Sequence, residues 1–124
     1  MTVALVEKVP SLQQARTSGP ALFLWRRSVR LNRVTFARLA NVSERTLATY
    51  EKQKQFPAQI RSQMSEALRL VKALREIIPD EDLKVWLKKP NPGFGGRKPW
   101  SLITSGERDL IWKMIHQTQQ GAFA

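Results

Sequence analysis

Residues 86–100 read Trp86-Leu87-Lys88-Lys89-Pro90-Asn91-Pro92-Gly93-Phe94-Gly95-Gly96-Arg97-Lys98-Pro99-Trp100. Three prolines fix φ, and three glycines open backbone conformations closed to other residues. A tryptophan at each end seeks burial. The run is too constrained for a linker. It reads as a shaped loop that sets the angle between two helices or meets a partner, with Trp86 and Trp100 as core residues at its ends.

Helical patterns lie on both sides. Upstream, Ile60, Met64, Ala67, Val71, Leu74 and Ile78 follow a 4, 3, 4, 3, 4 spacing on a helix from Pro57 to Ile78. This seam is shorter than the three to four heptads that argue a coiled coil. It is either core, the default, or a dimer interface. Pro79-Asp80 breaks the helix, and a short helix Glu81–Lys88 carries Leu83, Val85, Trp86 and Leu87. After the loop, Pro99-Trp100-Ser101-Leu102 starts a helical turn. Thr104-Ser105-Gly106-Glu107 fits a capping box with Thr104 as the cap. The last helix runs to about Gln120 and stops at Gly121, with Leu110, Ile111, Met114 and Ile115 as its apolar stripe.

Residues 1–19 show no sustained period and end in Ser18-Gly19-Pro20, so they read as a flexible arm. A helix from Pro20 to Leu31 places Leu22, Trp25 and Val29 on one face and Arg26, Arg27, Arg30 and Arg33 along a basic edge. Two short helices, Val34–Ala40 and Ser43–Lys52, are joined by Asn41-Val42. Ser43 suits an N-cap, and Asn41 tolerates the left-handed conformation that ends a helix. No segment alternates as a strand does, so the chain reads as all-α.

With 124 residues, 42% of them apolar, the chain can build a core as one compact domain or two small helical units. It has no cysteine, which removes disulfides and thiolate metal sites and fits a cytoplasmic protein. Lys8, Pro10 and Gln13 interrupt the apolar N-terminus, so neither a leader nor a membrane partner is expected. The net charge of +11 points to a polyanion. Residues 1–56 hold 10 Lys/Arg against 3 Asp/Glu, which makes the first half the electrostatic end.

Two short helices and a tight turn in that basic half make a helix-turn-helix candidate. Phe36-Ala37 stand in the first helix, Val42-Ser43 form turn and cap, Leu47 plugs the core, and Tyr50-Glu51 close the second helix before Pro57. Over residues 20–78 this order resembles the Xre, or phage-repressor-like, family. Asn41 and Gln53 replace its usual glycines. If Ser43–Lys52 is the recognition helix, Ser43, Glu44, Arg45, Thr46 and Thr49 lie at the major groove, with Arg45 able to bridge guanine O6 and N7. Arg33, Arg38, Lys52 and Lys54 would hold phosphates.

The order Trp86-Leu87, Pro90-Asn91-Pro92, Phe94-Gly95-Gly96-Arg97, Pro99, Ser105-Gly106-Glu107 and a terminal helix ending at Gly121 resembles the toxin-binding domain of the Xre/MbcA/ParS antitoxin family. Phe94 stands where an aliphatic residue is common. The resemblance implies an antitoxin that neutralises a RES-domain, NAD-consuming toxin by covering its active site. It also implies a homodimer within a larger toxin–antitoxin complex that represses its own operon through operator DNA. The toxin-facing residues it implies are Asn91, Arg97, Lys98, Trp112, His116, Gln119 and Gln120. The expected architecture is therefore all-α: an arm (1–19), a helix-turn-helix bundle (20–78) and a small helical toxin-binding and dimerisation domain (79–124).

Competing functions are a helix-turn-helix regulator without a toxin partner and a nucleoid-type basic protein. Catalysis is the weakest reading. No Ser-His-Asp spacing is present, and Gly93-Phe94-Gly95-Gly96 lacks the Lys-Ser/Thr and the preceding strand of a phosphate loop. His116, the single histidine, has no second ligand at metal spacing. No catalytic residue, cofactor or metal is expected.

Overall fold

The computed structural model describes residues 9–121. Among the described residues eight α-helices follow one another: α1 (Leu12–Ala15), α2 (Gly19–Ser28), α3 (Arg33–Leu39), α4 (Glu44–Tyr50), α5 (Ala58–Arg75), α6 (Asp80–Lys88), α7 (Pro99–Thr104) and α8 (Arg108–Gln119). A 3-10 turn, Pro92–Phe94, interrupts the loop between α6 and α7. The described residues contain no strand, only an isolated bridge between Asn91 and Arg97. The all-α expectation holds.

Part of the span read as a flexible arm is folded. Ser11 and Gln14 form a reciprocal capping box that starts α1. Ala15 is fully buried and Leu12 packs against the core. Phe56 N–H donates to the Thr17 carbonyl at 2.8 Å, and Gly19 N–H to the Gln53 carbonyl at 2.9 Å. A four-residue helix is too short to show a period, which is why composition alone suggested an arm. Residues 1–8 lie outside the described residues. The close approach at Gly19 requires glycine: a Cβ there would collide with the backbone of Tyr50, Glu51 and Gln53.

Glu51 dominates the N-terminal half. Its carboxylate accepts from Arg26 Nε (2.7 Å) and Nη2 (3.1 Å), and from Arg33 Nε (3.2 Å). Arg26 Nη1 also donates to the Leu31 carbonyl at 2.9 Å. The Arg26 and Glu51 side chains are 6% and 3% exposed. Arg26 is therefore not part of a solvated basic edge. It lies inside, where two bonds to a carboxylate and one to a carbonyl offset the loss of its hydration.

The Ile60–Ile78 seam is core. Ile60, Met64, Ala67, Val71 and Leu74 are buried within the single chain, and Ile78, past the end of α5, is half-buried. α5 stops at Arg75, whose guanidinium takes both oxygens of Asp80 at 2.8 and 3.0 Å and fixes the corner into α6. That pairing holds the Asp80 carboxyl below the usual carboxylate range. Asp80, Glu81 and Asp82 then place negative charge on the first turn of α6, where the helix dipole favours it.

The C-terminal helices complete the same core. One cluster of buried apolar side chains runs from Ala15 to Ile115. α7 packs on α3 and on α6, and α8 on α5. Arg69 of α5 faces the Trp112 ring, and seven residues further along both helices Gln119 donates to Glu76, so α8 runs parallel to α5. Arg108, at the start of α8, donates through Nη2 to the Leu39 carbonyl at 2.6 Å. This satisfies one of the orphan carbonyls at the end of α3. Burial pushes the Arg108 guanidinium below the usual arginine range, with Glu66 acting in the opposite sense.

The capping box expected at Thr104 does not form. Gly106 (φ +80°) ends α7, with Glu107 N–H bonded to the Leu102 carbonyl at 2.7 Å. Thr104 therefore belongs to α7, and its hydroxyl donates to the Trp100 carbonyl at 2.7 Å. Glu107 precedes α8 with no side-chain cap bond and binds Arg97 and Ser105 instead. Gly121 (φ +69°) ends α8 as expected.

Removing one partner of a buried ion pair leaves the other charge uncompensated. Glu51→Ala should therefore destabilise the protein by about 3–5 kcal/mol in urea unfolding. Arg26→Met with Glu51→Leu should recover most of that loss. A small cost for Glu51→Ala alone would mean that the pair is not what holds α2 to α4.

Candidate functional site

Two surfaces gather the residues singled out above. The first is built on α3, a turn and α4. Asn32 caps α3 by accepting from Thr35 N–H at 2.8 Å. Asn41 (φ 59°) ends the helix in the left-handed conformation, with Asn41 N–H bonded to the Arg38 carbonyl (3.1 Å) and Val42 N–H to the Ala37 carbonyl (2.9 Å). These are the two bonds of a Schellman motif, so Asn41 does the work of the usual glycine. Ser43 caps α4 by accepting from Thr46 N–H at 3.0 Å. Leu47 is fully buried beneath it. Gln53 makes the exit turn without a positive φ, and its carbonyl accepts from Gly19.

The outer face of α4 presents Glu44, Arg45 and Thr49 to solvent, and Lys52 and Lys54 stand exposed just after it. Ser43 is exposed, but its hydroxyl is engaged with Thr46. Thr46 is half-buried, and Thr49 donates its hydroxyl to the Arg45 carbonyl at 3.2 Å. Arg33 keeps a 41% exposed side chain while its Nε serves Glu51. Arg38 is exposed and stacks on the Trp100 ring, its Cζ 4.5 Å from the centroid.

The second surface is the loop that follows α6. Asn91 organises it: Oδ1 accepts from Gly93 N–H (2.8 Å), its carbonyl accepts from Phe94 and Gly96 N–H (3.0 Å each), and its N–H donates to the Arg97 carbonyl (3.1 Å). Its polar groups are spent inside the loop. Gly95 and Gly96 have φ of +66° and +83°, and a Cβ at either would meet open space, so they are there for conformation. Phe94 lies edge-on to Trp86 at 6.3 Å. Arg97 holds Glu107 by two bonds, 2.8 and 3.0 Å, and Ser105 adds a third at 2.6 Å. This clamp ties the loop to the start of α8.

Between the loop and α8 lies a groove of about 580 Å³, lined by Phe94, Arg97, Leu110, Lys113, Met114 and Gln117 among others. Leu110 is 40% exposed, contrary to its placement in the apolar stripe. Helix geometry explains this. At about 100° per residue Leu110 and Ile115 stand about 140° apart, and α8, which lies at the surface with Asp109, Lys113 and Gln117 exposed, has only one covered side. Ile111 and Ile115 take the core and Leu110 faces out. Counting that angle along the sequence would have exposed the groove, whose Leu110 lies outside the toxin-facing surface that the resemblance implies, the Asn91–Lys98 loop and the last helix from Trp112 onward.

The expected contacts do not form one patch. Asn91 and Arg97 sit in the loop. Trp112, His116 and Gln119 occupy the opposite flank of α8, toward Arg69 and Glu76 of α5. Trp112 is half-buried and lies 6.0 Å from the exposed His116. Gln120 is exposed at the helix end. Lys98 leaves the loop and joins Arg38, Lys88 and Trp100. Trp86 and Trp100 are half-buried and pack against the core cluster from its edge.

An all-helical chain whose C-terminal half presents a rigid loop beside a terminal helix has the build of a partner-binding helical module. Residues 73–111 match the family model described as the antitoxin Xre/MbcA/ParS C-terminal toxin-binding domain. Over these residues the chain is similar to the Xre/MbcA/ParS antitoxin family. It is 27% identical over 86 residues to the mycobacterial cidal antitoxin MbcA of Mycobacterium bovis and, to the same degree, of Mycobacterium tuberculosis. The match spans 68% of this chain and 76% of the relative. No solved structure matches the chain. The matched span begins inside α5 and ends at Ile111, so it contains Asn91, Arg97 and Lys98 but stops short of Trp112, His116, Gln119 and Gln120.

The Glu107 carboxyl is held below the usual carboxylate range, first by Arg97 and then by Ser105. Its folded value is depressed. The clamp is thus fully present above the ordinary glutamate value of about 4.3 and is lost as pH falls through the lower folded value. Hydrogen exchange at the Phe94, Gly95 and Gly96 amides, taken relative to the intrinsic rate at each pH, should accelerate below about pH 4. In Glu107→Gln it should be fast already at neutral pH. Equal protection in wild type and variant at neutral pH would show that the clamp does not order the loop.

Proposed function

We propose that this protein neutralises a RES-type, NAD-consuming toxin by covering its active site, and that it represses its own operon as a homodimer bound to operator DNA. It acts without catalysis or cofactor, in the cytoplasm. Residues 20–78 supply the DNA-binding part and residues 79–124 the toxin-binding part. The observation that carries this reading is the half-exposed apolar groove of Phe94, Leu110 and Met114 beside Arg97, most of whose loop side lies in a segment that matches a toxin-binding domain and whose α8 side extends past it. An apolar groove rimmed by cations suits a protein partner that brings both apolar and acidic side chains. Among the described residues no helix is long and apolar enough to cross a membrane.

The DNA-binding half of the reading rests on the turn geometry, the plug Leu47 and the exposed Arg45 at the start of α4. Guanine recognition through O6 and N7 is available to Arg45, while Lys52 and Lys54 position the backbone. Arg38 and Arg33 hold phosphate less freely, since each already has an intramolecular partner. The alternative is a helix-turn-helix regulator without a toxin. It accounts for α3 and α4 and leaves the groove without a purpose.

Co-expression with a RES-domain toxin tests the first part. Leu110→Glu should weaken capture of the toxin about tenfold or more, as loss of a central apolar anchor does. Undiminished capture by this variant would move the interface to the Trp112 flank of α8. Failure of the unaltered protein to capture or silence such a toxin would favour the plain regulator. For the DNA part, Arg45→Ala should abolish operator preference in footprinting and keep most non-specific binding. Identical footprints from both proteins would remove Arg45 from base recognition.

A further inference from the structure

Arg38 of α3, Lys88 of α6 and Lys98 at the start of α7 converge on Trp100. Together with Ser101 they line a shallow hollow of about 290 Å³. The Arg38 guanidinium lies 4.5 Å and the Lys88 ammonium 5.3 Å from the indole centroid. The two charges are therefore within about 10 Å of each other, which is about one Debye length at 0.1 M salt, so they repel. The ring relieves part of that cost through its negative face. No carboxylate lines the hollow, and among the described residues none of the three cations makes an ion pair. All three residues are exposed.

Cations gathered this closely, without a counter-charge of their own, fit an anionic partner. The position of the cluster selects the kind. Arg38 stands on α3, which packs directly on the proposed recognition helix α4, and α7 packs on α3. The cluster thus continues the basic surface of α3 and α4 onto the C-terminal half. We propose that the phosphate backbone of duplex DNA, running past α4, is also held by Lys88 and Lys98, so that the toxin-binding half contributes to the DNA footprint. Arg38, stacked on Trp100, is the positioning residue at the junction. This inference rests on the reading of α4 as a DNA-reading helix.

Salt dependence tests it. Binding of the full-length protein to a random-sequence duplex of roughly 30 base pairs, three helical turns, is followed by fluorescence anisotropy between about 50 and 200 mM salt. Each lost phosphate contact lowers the slope of log K against log salt by about 0.9. Lys88→Gln with Lys98→Gln should lower it by about 1–2, and Lys72→Gln, an exposed lysine on α5, by much less. Thermal unfolding of the double variant should match the wild type, since both lysines are exposed. An unchanged slope in the double variant, with a reduced slope in Lys52→Gln with Lys54→Gln, would overturn this inference and leave the helix-turn-helix reading standing. So would an unchanged slope accompanied by weaker capture of the toxin, which would assign the cluster to the protein partner. An equal effect from Lys72→Gln would reduce the cluster to general charge and overturn it too. Absence of salt-dependent DNA binding by the wild type would overturn both readings.

Discussion

A carboxylate that is 3% exposed can stay ionised only if its surroundings replace the water it has lost. For Glu51 that replacement comes from Arg26 and Arg33, and Arg26 in turn needs the Leu31 carbonyl. The requirement is geometric as well as electrostatic. It places the end of α4 against the last turn of α2 and the start of α3, and it fixes the direction of the α2–α3 connection. With α3 and α4 set in this way, Leu47 enters the core, the outer face of α4 is left to solvent, and the flank of α3 is free to receive α7. The orientation of the whole C-terminal half follows from one buried charge and its partners.

The second half is attached by a different kind of contact. Arg108 donates to a carbonyl at the end of α3, and Trp100 lies under Arg38. Each contact brings a cationic side chain across the junction, above an apolar base of Leu83, Leu87, Leu102, Ile111 and Ile115. The loop between α6 and α7 is rigid because its backbone bonds close on Asn91 and because Arg97 grips Glu107. Its prolines and glycines supply the conformations, and its hydrogen bonds keep them.

Much of this was legible in the residues. The long seam of α5, the Ser43 cap, the left-handed Asn41 and the stop at Gly121 each depend on neighbours a few positions away, and local chemistry identifies them. What the sequence could not show depends on distant partners. Arg26 looks like a surface arginine until Glu51, twenty-five residues on, is placed beside it. Lys98 looks like part of the loop until α3 brings Arg38 to the same indole. Thr104 fits a capping box by spacing, yet Gly106 ends α7 after it and Arg97 has first claim on Glu107. Leu110 is the exception, since its exposure was implicit in helix geometry and only the angle along α8 was needed to see it.

The continuous core has a bearing on how such a molecule is lost from a cell. Because α7 packs on α3, Arg108 of α8 bonds to the end of α3 and one buried cluster runs through both halves, the described residues contain no linker at which the two halves could part company. Opening one half exposes the apolar side of the other, so unfolding is expected to be all-or-none for the chain. A protease that captured the opened chain would not leave either half folded behind. Both surfaces would vanish together, and the quantity of intact chain would set the level of each.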